Sequence, residues 1–388
     1  MNATVRRIAL SEVADLLVPG QPLTLRILDS EGRLLLAVGQ SIVDARQLTA
    51  LFDRGACVEA AELEAVRAAR AAEQAGGGRP GSTRKRTLFD RWERQVWTLD
   101  ALLRSLAGGL PMAAEIEAFV DDHLGLVDRD PDVALFHCVR QDDRRFALYG
   151  LTHALHCSAV VLLAARLLGW PAPRAQLALR VALTMNASIV ELQARMAEQS
   201  DPPTKKQLAL IREHPLRSAE MLRAAGVADA AWLAAVEAHH ERAGGSGYPR
   251  ALAEVDELAH LVRAADVFSA KISPRALRAP LAPQVAARQL FQEEGGGPIA
   301  GAIIKAVGVY PPGDFVRLRN GDAAIVTRRA NAGAGVQVVS LLDARGRPLP
   351  NAPHRDAALA EFAITGALAE RAGLPRVLPE QVYGLLEP

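Results

Sequence analysis

Apolar and polar positions alternate through residues 21–43, QPLTLRILDSEGRLLLAVGQSIV, on both sides of Asp29-Ser30-Glu31-Gly32, a pattern that predicts a β-hairpin with one buried face. The spacing then changes. DARQLTALFDR predicts a helix over 44–54 ending near Gly55, and a charged Ala/Glu/Arg helix follows to about residue 74. Residues 76–86, GGGRPGSTRKR, form the clearest connector, and Arg84-Lys85-Arg86 within it has no aromatic neighbours, so it reads as solvated linker rather than as a phosphate-binding patch.

From Thr87 to Val309 apolar residues recur at three- and four-residue spacing, as in WTLDALLRSLAGGL, ALHCSAVVLLAARLLGW and AAWLAAVEAHH, which predicts one large helical domain. Breaks fall at Pro111, Asp130-Pro131, Pro171 to Pro173, Asp201 to Pro203, Gly244 to Pro249, Pro274 and Gly295 to Pro298. After Pro311-Pro312-Gly313, FVRLRNGDAAIVTRR and VQVVSLLDARGRPL predict strands with a hairpin turn at Asn320-Gly321, and RDAALAEFAITGALAERAG predicts a closing helix. The expected fold is mainly α: an N-terminal β-hairpin plus helix module over 1–75, a flexible linker over 76–90, a helical domain over 91–312 and a C-terminal β-hairpin and helix extension over 313–388.

The length of 388 residues suggests two or three domains. Lys plus Arg number 45 against 44 Asp plus Glu, for a net charge of +1, so bulk charge signals no nucleic-acid partner. Lys85, Lys205, Lys206, Lys271 and Lys305 are the only lysines, and in this Ala-rich chain the arginine excess reads as genomic base composition. The start, MNATVRRIALSEVADLL, lacks the form of a signal peptide, and no uncharged apolar stretch approaches the roughly 18 residues of a spanning helix. A cytoplasmic protein with no membrane span is therefore expected. Cys57, Cys138 and Cys157 form no CxxC and read as buried small hydrophobes.

The helical stretch holds His153, His156, His214, His239 and His240 among its histidines, with Asp266 in the apolar context VRAADVFSA. Imidazole and carboxylate together suit Mn, Fe or Zn. Singly, each is more often a satisfied core histidine than a ligand. The adjacent pair His239-His240 followed by ERAGGSGYP changes that weighting.

HHERAGGSGYPR resembles the second signature of the HD-GYP phosphohydrolases, the bacterial cyclic di-GMP phosphodiesterase family, whose usual form reads HHExxDGxGYP. YGLTHALHCSAVV is similar to the family's first ligand helix, EHPLRSAEMLRAAG to its HP helix, AADVFSA to its ADxFDA and SPRALR to its RPxR or RPxK clamp, together spanning about 149–312. The resemblance implies an HD-domain-like helical bundle and the metal ligands His153, His214, His239, His240 and Asp266. It implies phosphate or nucleotide contacts from Arg275 and Arg278, and a GYP loop built on Gly245, Gly247, Tyr248 and Pro249.

The chain departs from the family where LLHDIGK is expected: Met185 stands for the His, Asn186 for the Asp and Ile189 for the Lys. In such sites a bridging carboxylate holds two cations about 3.5–4 Å apart. Asn186 brings no charge, and Met185 is a poor ligand for hard cations. Gly244 stands for the usual Asp of the GYP motif, so its turn is expected to be kept and its polar anchor lost. His156, one helical turn from His153, could share its face, whereas Glu191 is turned away from that of Asn186. Taken with these departures, the resemblance implies one Fe or Mn ion, partial or absent, rather than a full dinuclear site. It implies impaired catalysis, with the chain working in cyclic di-GMP signalling as a nucleotide-sensing or protein-interaction module. The alternative is an active phosphodiesterase with altered ligands. The partners it points to are cyclic di-GMP, signalling proteins docking at the GYP loop and a second copy of the chain as a homodimer.

Overall fold

The computed structural model describes residues 6–75, 87–141, 145–331, 333–368, 374, 377–384 and 386–387. The connector 76–86, with its basic cluster, lies outside the described residues.

The N-terminal module is a four-stranded antiparallel sheet of order β1-β4-β2-β3, made by β1 (Arg7–Ala9), β2 (Ile27–Leu28), β3 (Leu34–Leu36) and β4 (Cys57–Glu59). The hairpin expected over 21–43 is present as β2 and β3, with Asp29 accepting from the backbone of Glu31 and Arg33 to hold the turn. β1 and β4 carry too few residues to show a period in the sequence. Helix α1 (Ala45–Asp53) is capped by Asp44, and α2 (Ala60–Ala75) follows β4 directly.

The helical part begins at α3 (Leu88–Ala107), whose Thr87–Asp90 capping box starts it inside the stretch expected to be linker to residue 90. It continues through α4 (Ala113–Arg129), α5 (Pro131–Val139), α6 (Tyr149–Leu167), α7 (Ala172–Thr184), α8 (Val190–Glu198), α9 (Lys205–Ala224), α10 (Ala230–Ala238), α11 (Glu257–Ile272), α12 (Pro283–Glu293) and α13 (Pro298–Val307). Prolines open α5, α12 and α13, where a missing N–H costs nothing.

Helix α6 is the axis of the bundle, packed by α5, α7, α11 and α13. The segment Phe146–Leu167 is long and apolar enough to cross a membrane by length and composition, which corrects the expectation that no stretch approaches that length. Of its most apolar 18-residue window 89% is buried inside the protein, and a helix enclosed by other helices is apolar on every side for that reason. One continuous hydrophobic core joins Leu25, Ile27 and Leu36 of the N-terminal sheet to Leu88, Trp92 and Leu155 of the bundle. Cys57, Cys138 and Cys157 are buried and unbridged, as small hydrophobes.

The C-terminal region corrects a second expectation. It is a five-stranded antiparallel sheet, order β8-β7-β6-β5-β9, of β5 (Phe315–Leu318), β6 (Ala323–Arg328), β7 (Gln337–Leu342), β8 (His354–Asp356) and β9 (Ile364–Ala367). The closing helix expected from RDAALAEFAITGALAERAG is absent over its described residues, which form β8, a single 3-10 turn and β9. Alanine-rich helix propensity loses there to pairing: β9 covers the open edge of β5, and Phe362 and Ile364 pack on Val316 and Leu318. The last helix, α14 (Pro379–Tyr383), is short.

Candidate metal and phosphate site

Helix α9 carries Pro215 in its interior. Proline has no N–H, so the carbonyl of Ile211, four residues earlier, loses its helical donor. His214 replaces it, with Nδ1 donating to the Ile211 oxygen at 2.6 Å. His239, just past the end of α10, does the same at one of that helix's orphaned last carbonyls, Nδ1 donating to Val236 O at 2.6 Å. Both rings are thereby fixed with the proton on Nδ1, and both Nε2 atoms carry lone pairs. These two Nε2 atoms face each other at 3.0 Å, deep in the protein. Two acceptors at that distance need a cation between or beside them.

His240 completes the group: one nitrogen from each of His214, His239 and His240 lies within 4.8 Å of the others. Burial, followed by the neighbouring His239, lowers the His214 pKa to about 3. Burial lowers His239 as well, and holds His240 well below the imidazole range. The rings are therefore neutral, as metal ligation requires. Three neutral imidazoles with their Nδ1 protons committed to carbonyls on two of them are a donor set that fits one divalent ion of the Mn, Fe or Zn kind.

His153 and Asp266 form a separate pair, Nε2 to Oδ1 at 2.7 Å, joining α6 to α11. Burial would raise the Asp266 pKa, but the hydrogen bond and charge of His153, aided by His240 and His239, hold it well below the usual carboxylate range. The five residues expected as ligands thus resolve into a trio and a pair within one neighbourhood. His156, one turn along α6 from His153, faces a cavity lined also by Tyr149 and Thr152, and it is His153 that meets Asp266.

Met185 and Asn186 lie between these elements. Thr184, just before them, accepts a hydrogen bond from Trp232 Nε1 of α10, and Ser188, just after, donates to the His214 carbonyl. Met185 is wholly buried and Asn186 is 4% exposed, so neither position reaches water to recruit a charged substitute. Ile189 is buried too. Glu191 points away, toward Arg54 and Arg104 at 3.4 and 3.7 Å.

The GYP loop is held by a residue the sequence reading passed over. Glu241, fully buried, accepts from the backbone of Arg250 and Leu252 at 2.6 and 3.0 Å. The turn expected to be kept is present, and Glu241, the acid that follows the His pair, anchors it. Gly244 sits at φ +83°, a left-handed conformation that glycine adopts without strain, and a Cβ on Gly247 would collide with the backbone of Glu241 and Arg242. Tyr248, which precedes Pro249 through a cis peptide, stacks on His240 at 4.6 Å, and Gly245 N donates to Leu252 O.

Arg275 is engaged with a partner that the sequence did not suggest, Tyr149. Its Nε donates to the Tyr149 hydroxyl at 3.0 Å and its guanidinium lies 4.9 Å from that ring's centre. Tyr149 stacks on His153, with ring centres 5.6 Å apart. Arg278 donates to Ala270 O at 2.8 Å, and both arginines belong to one tight turn after α11.

Residues 135–296 match the family described as HD domain. Cyclic di-GMP phosphodiesterase PA4108 of Pseudomonas aeruginosa is 29% identical over 182 residues, which are 46% of this chain and 44% of that protein. The match thus spans less than half the length of that relative. Bd1817, a HDG"Y"P protein from Bdellovibrio bacteriovorus, is 19% identical, with a TM-score of 0.49 over 78% of this chain and 99% of that one. With its histidine trio, its HP helix and its GYP turn, the helical core of this chain matches the HD domain family over residues 135–296 and is similar to that family's HD-GYP form.

Proposed function

We propose that this chain is a cytoplasmic HD-GYP protein of cyclic di-GMP signalling that binds the nucleotide, or docks partner proteins through its GYP loop, with hydrolysis impaired. The observation that carries this reading is the buried Met185–Asn186 pair, flanked by Thr184, which accepts from Trp232 of α10, and Ser188, which donates to the His214 carbonyl of α9. A neutral amide and a thioether supply no bridging charge for a second cation, and Ile189 supplies no cation for a phosphoryl oxygen. The relative named as a cyclic di-GMP phosphodiesterase supplies the nucleotide in this reading.

Within it, His214, His239 and His240 hold one Fe or Mn ion, which when bound supplies a Lewis acid for a phosphodiester oxygen. The residues of the chain do the rest. Asp266 holds the ring of His153, Tyr149 holds Arg275 beside it, and Tyr248 covers His240. Arg275 and Arg278 place two guanidinium forks, suited to phosphate, at one turn.

The test is cyclic di-GMP hydrolysis by purified protein loaded anaerobically with Mn or Fe, with metal analysis and a His239→Ala control, alongside calorimetric titration with the nucleotide. Binding without turnover is expected. Turnover that disappears in His239→Ala would overturn the reading and establish the second one, an active phosphodiesterase with altered ligands, which the convergence of the three imidazoles favours.

A further inference from the structure

Helices α3, α5 and α6 leave between them a cavity of about 190 Å³, bounded also by Gln40 of the N-terminal module and by Val377, Leu378 and Pro379 near the C-terminus. Its walls include the rings of Phe89, Trp92, Phe146, Tyr149, His137 and His156. Three buried ring nitrogens in this wall have no hydrogen-bond partner among the described residues: Trp92 Nε1, His137 Nε2 and His156 Nδ1. Buried polar groups are ordinarily satisfied, and three such atoms around one cavity call for an occupant that satisfies them.

Two of the charged groups in the wall cancel. Glu93 and Arg145 neutralise each other, with Nη2 to Oε1 at 2.7 Å and Nη1 to Oε2 at 3.0 Å. Arg140 lies with its guanidinium 4.5 Å from the Phe315 ring centre. Burial lowers His137 to about 4, so its ring is neutral and offers one donor and one acceptor. Trp92 offers a donor alone.

We propose that this cavity binds a small, uncharged, planar heteroaromatic molecule of one or two rings that presents an acceptor to the Trp92 N–H. Aromatic walls favour a flat ring over an aliphatic one of equal size by their edge and face contacts. The volume suits such a molecule, since cavities of about 150 Å³ take up benzene. Tyr149 gives the site a consequence: one ring serves as cavity wall and as the stacking partner of His153, so occupancy reaches the His153–Asp266 pair directly.

Saturation-transfer NMR on the full chain, with benzimidazole as the probe and benzoate and cyclohexanol in comparison, tests the proposal. Benzimidazole should bind, with affinity above that of either comparison compound. Trp92→Phe keeps a ring and removes the donor, and should weaken binding about tenfold. Val377→Trp, at a half-buried position in the wall, should block binding by filling the space, and it decides the matter if Trp92→Phe does not fold. No saturation transfer, equal transfer to cyclohexanol, tighter binding of benzoate, or unchanged affinity in Val377→Trp would overturn it.

Discussion

His214 owes its tautomer to its neighbour. Because Pro215 cannot donate to Ile211 O, that carbonyl takes the His214 Nδ1 proton and turns the Nε2 lone pair inward, toward His239. Pro215→Ala should return a backbone donor to Ile211, release the ring and lower metal affinity about tenfold, as losses of such outer partners do, while leaving the helix as stable or more so. Chelator competition followed with Mn or Zn measures the affinity, and an unchanged value would mean that the carbonyl does not orient the ring. His239→Ala, which removes a ligand itself, should lose more than about 100-fold. In the same assay Met185→His with Asn186→Asp should raise bound metal per chain, because it adds a hard ligand and a charge between α9 and α10; unchanged stoichiometry would place these residues away from the centre.

The helical bundle is tied to the N-terminal module by a buried ion pair. Arg54, just after α1, meets Asp100 of α3 at 2.6 Å with both side chains 3% exposed, and Glu191 of α8 approaches from 3.4 Å. Burial depresses the guanidinium pKa less than the Asp100 hydrogen bond and charge raise it, so the arginine stays charged and needs its partner. Asp100→Ala should therefore cost about 3–5 kcal/mol in urea unfolding, whereas Arg54→Met with Asp100→Leu should recover most of it. A cost below about 1 kcal/mol for the single change would show water reaching Arg54. None of this pairing was legible in the sequence, since ion pairs 46 residues apart leave no period. What was legible came from local chemistry: the turn at Asp29 to Gly32, the helix starts at Asp44 and Pro131, and the HHE and GYP residues that make one loop. The closing helix failed for the opposite reason. Residues 355–368 satisfy a helical pattern by their alanines, but the exposed backbone edge of β5 offers them ladder hydrogen bonds and an apolar face, and those are tertiary.

Eight of the nine histidines are buried or half-buried, and this sets the molecule's response to acid. His123, wholly buried beside Trp92 and Phe119, is held at about 3, and His137 at about 4, each chiefly by burial. Both lie outside the metal trio, so their effect can be read on metal-free protein. In the unfolded chain these rings take up a proton near pH 6.5, while in the folded chain they refuse it. The unfolded state then binds more protons at every pH between those limits, and stability falls as pH falls through that window. Above about pH 6.5 the stabilisation is complete and flat, which is the behaviour of groups whose folded pKa is depressed and whose neutral form is the buried one. Each such histidine contributes up to about 1.4 kcal/mol per pH unit within its window. Urea midpoints of chelator-treated protein should accordingly be constant from pH 8 to 7 and drop steeply from pH 6 to 4.5. His123→Phe keeps a ring between Trp92 and Phe119 and removes one titrating group, so it should flatten that drop by about one proton. A variant with the parent's full slope would mean that His123 is protonated in the folded chain, with Ser158 Oγ, 2.9 Å from its Nε2, accepting the charged ring's hydrogen bond.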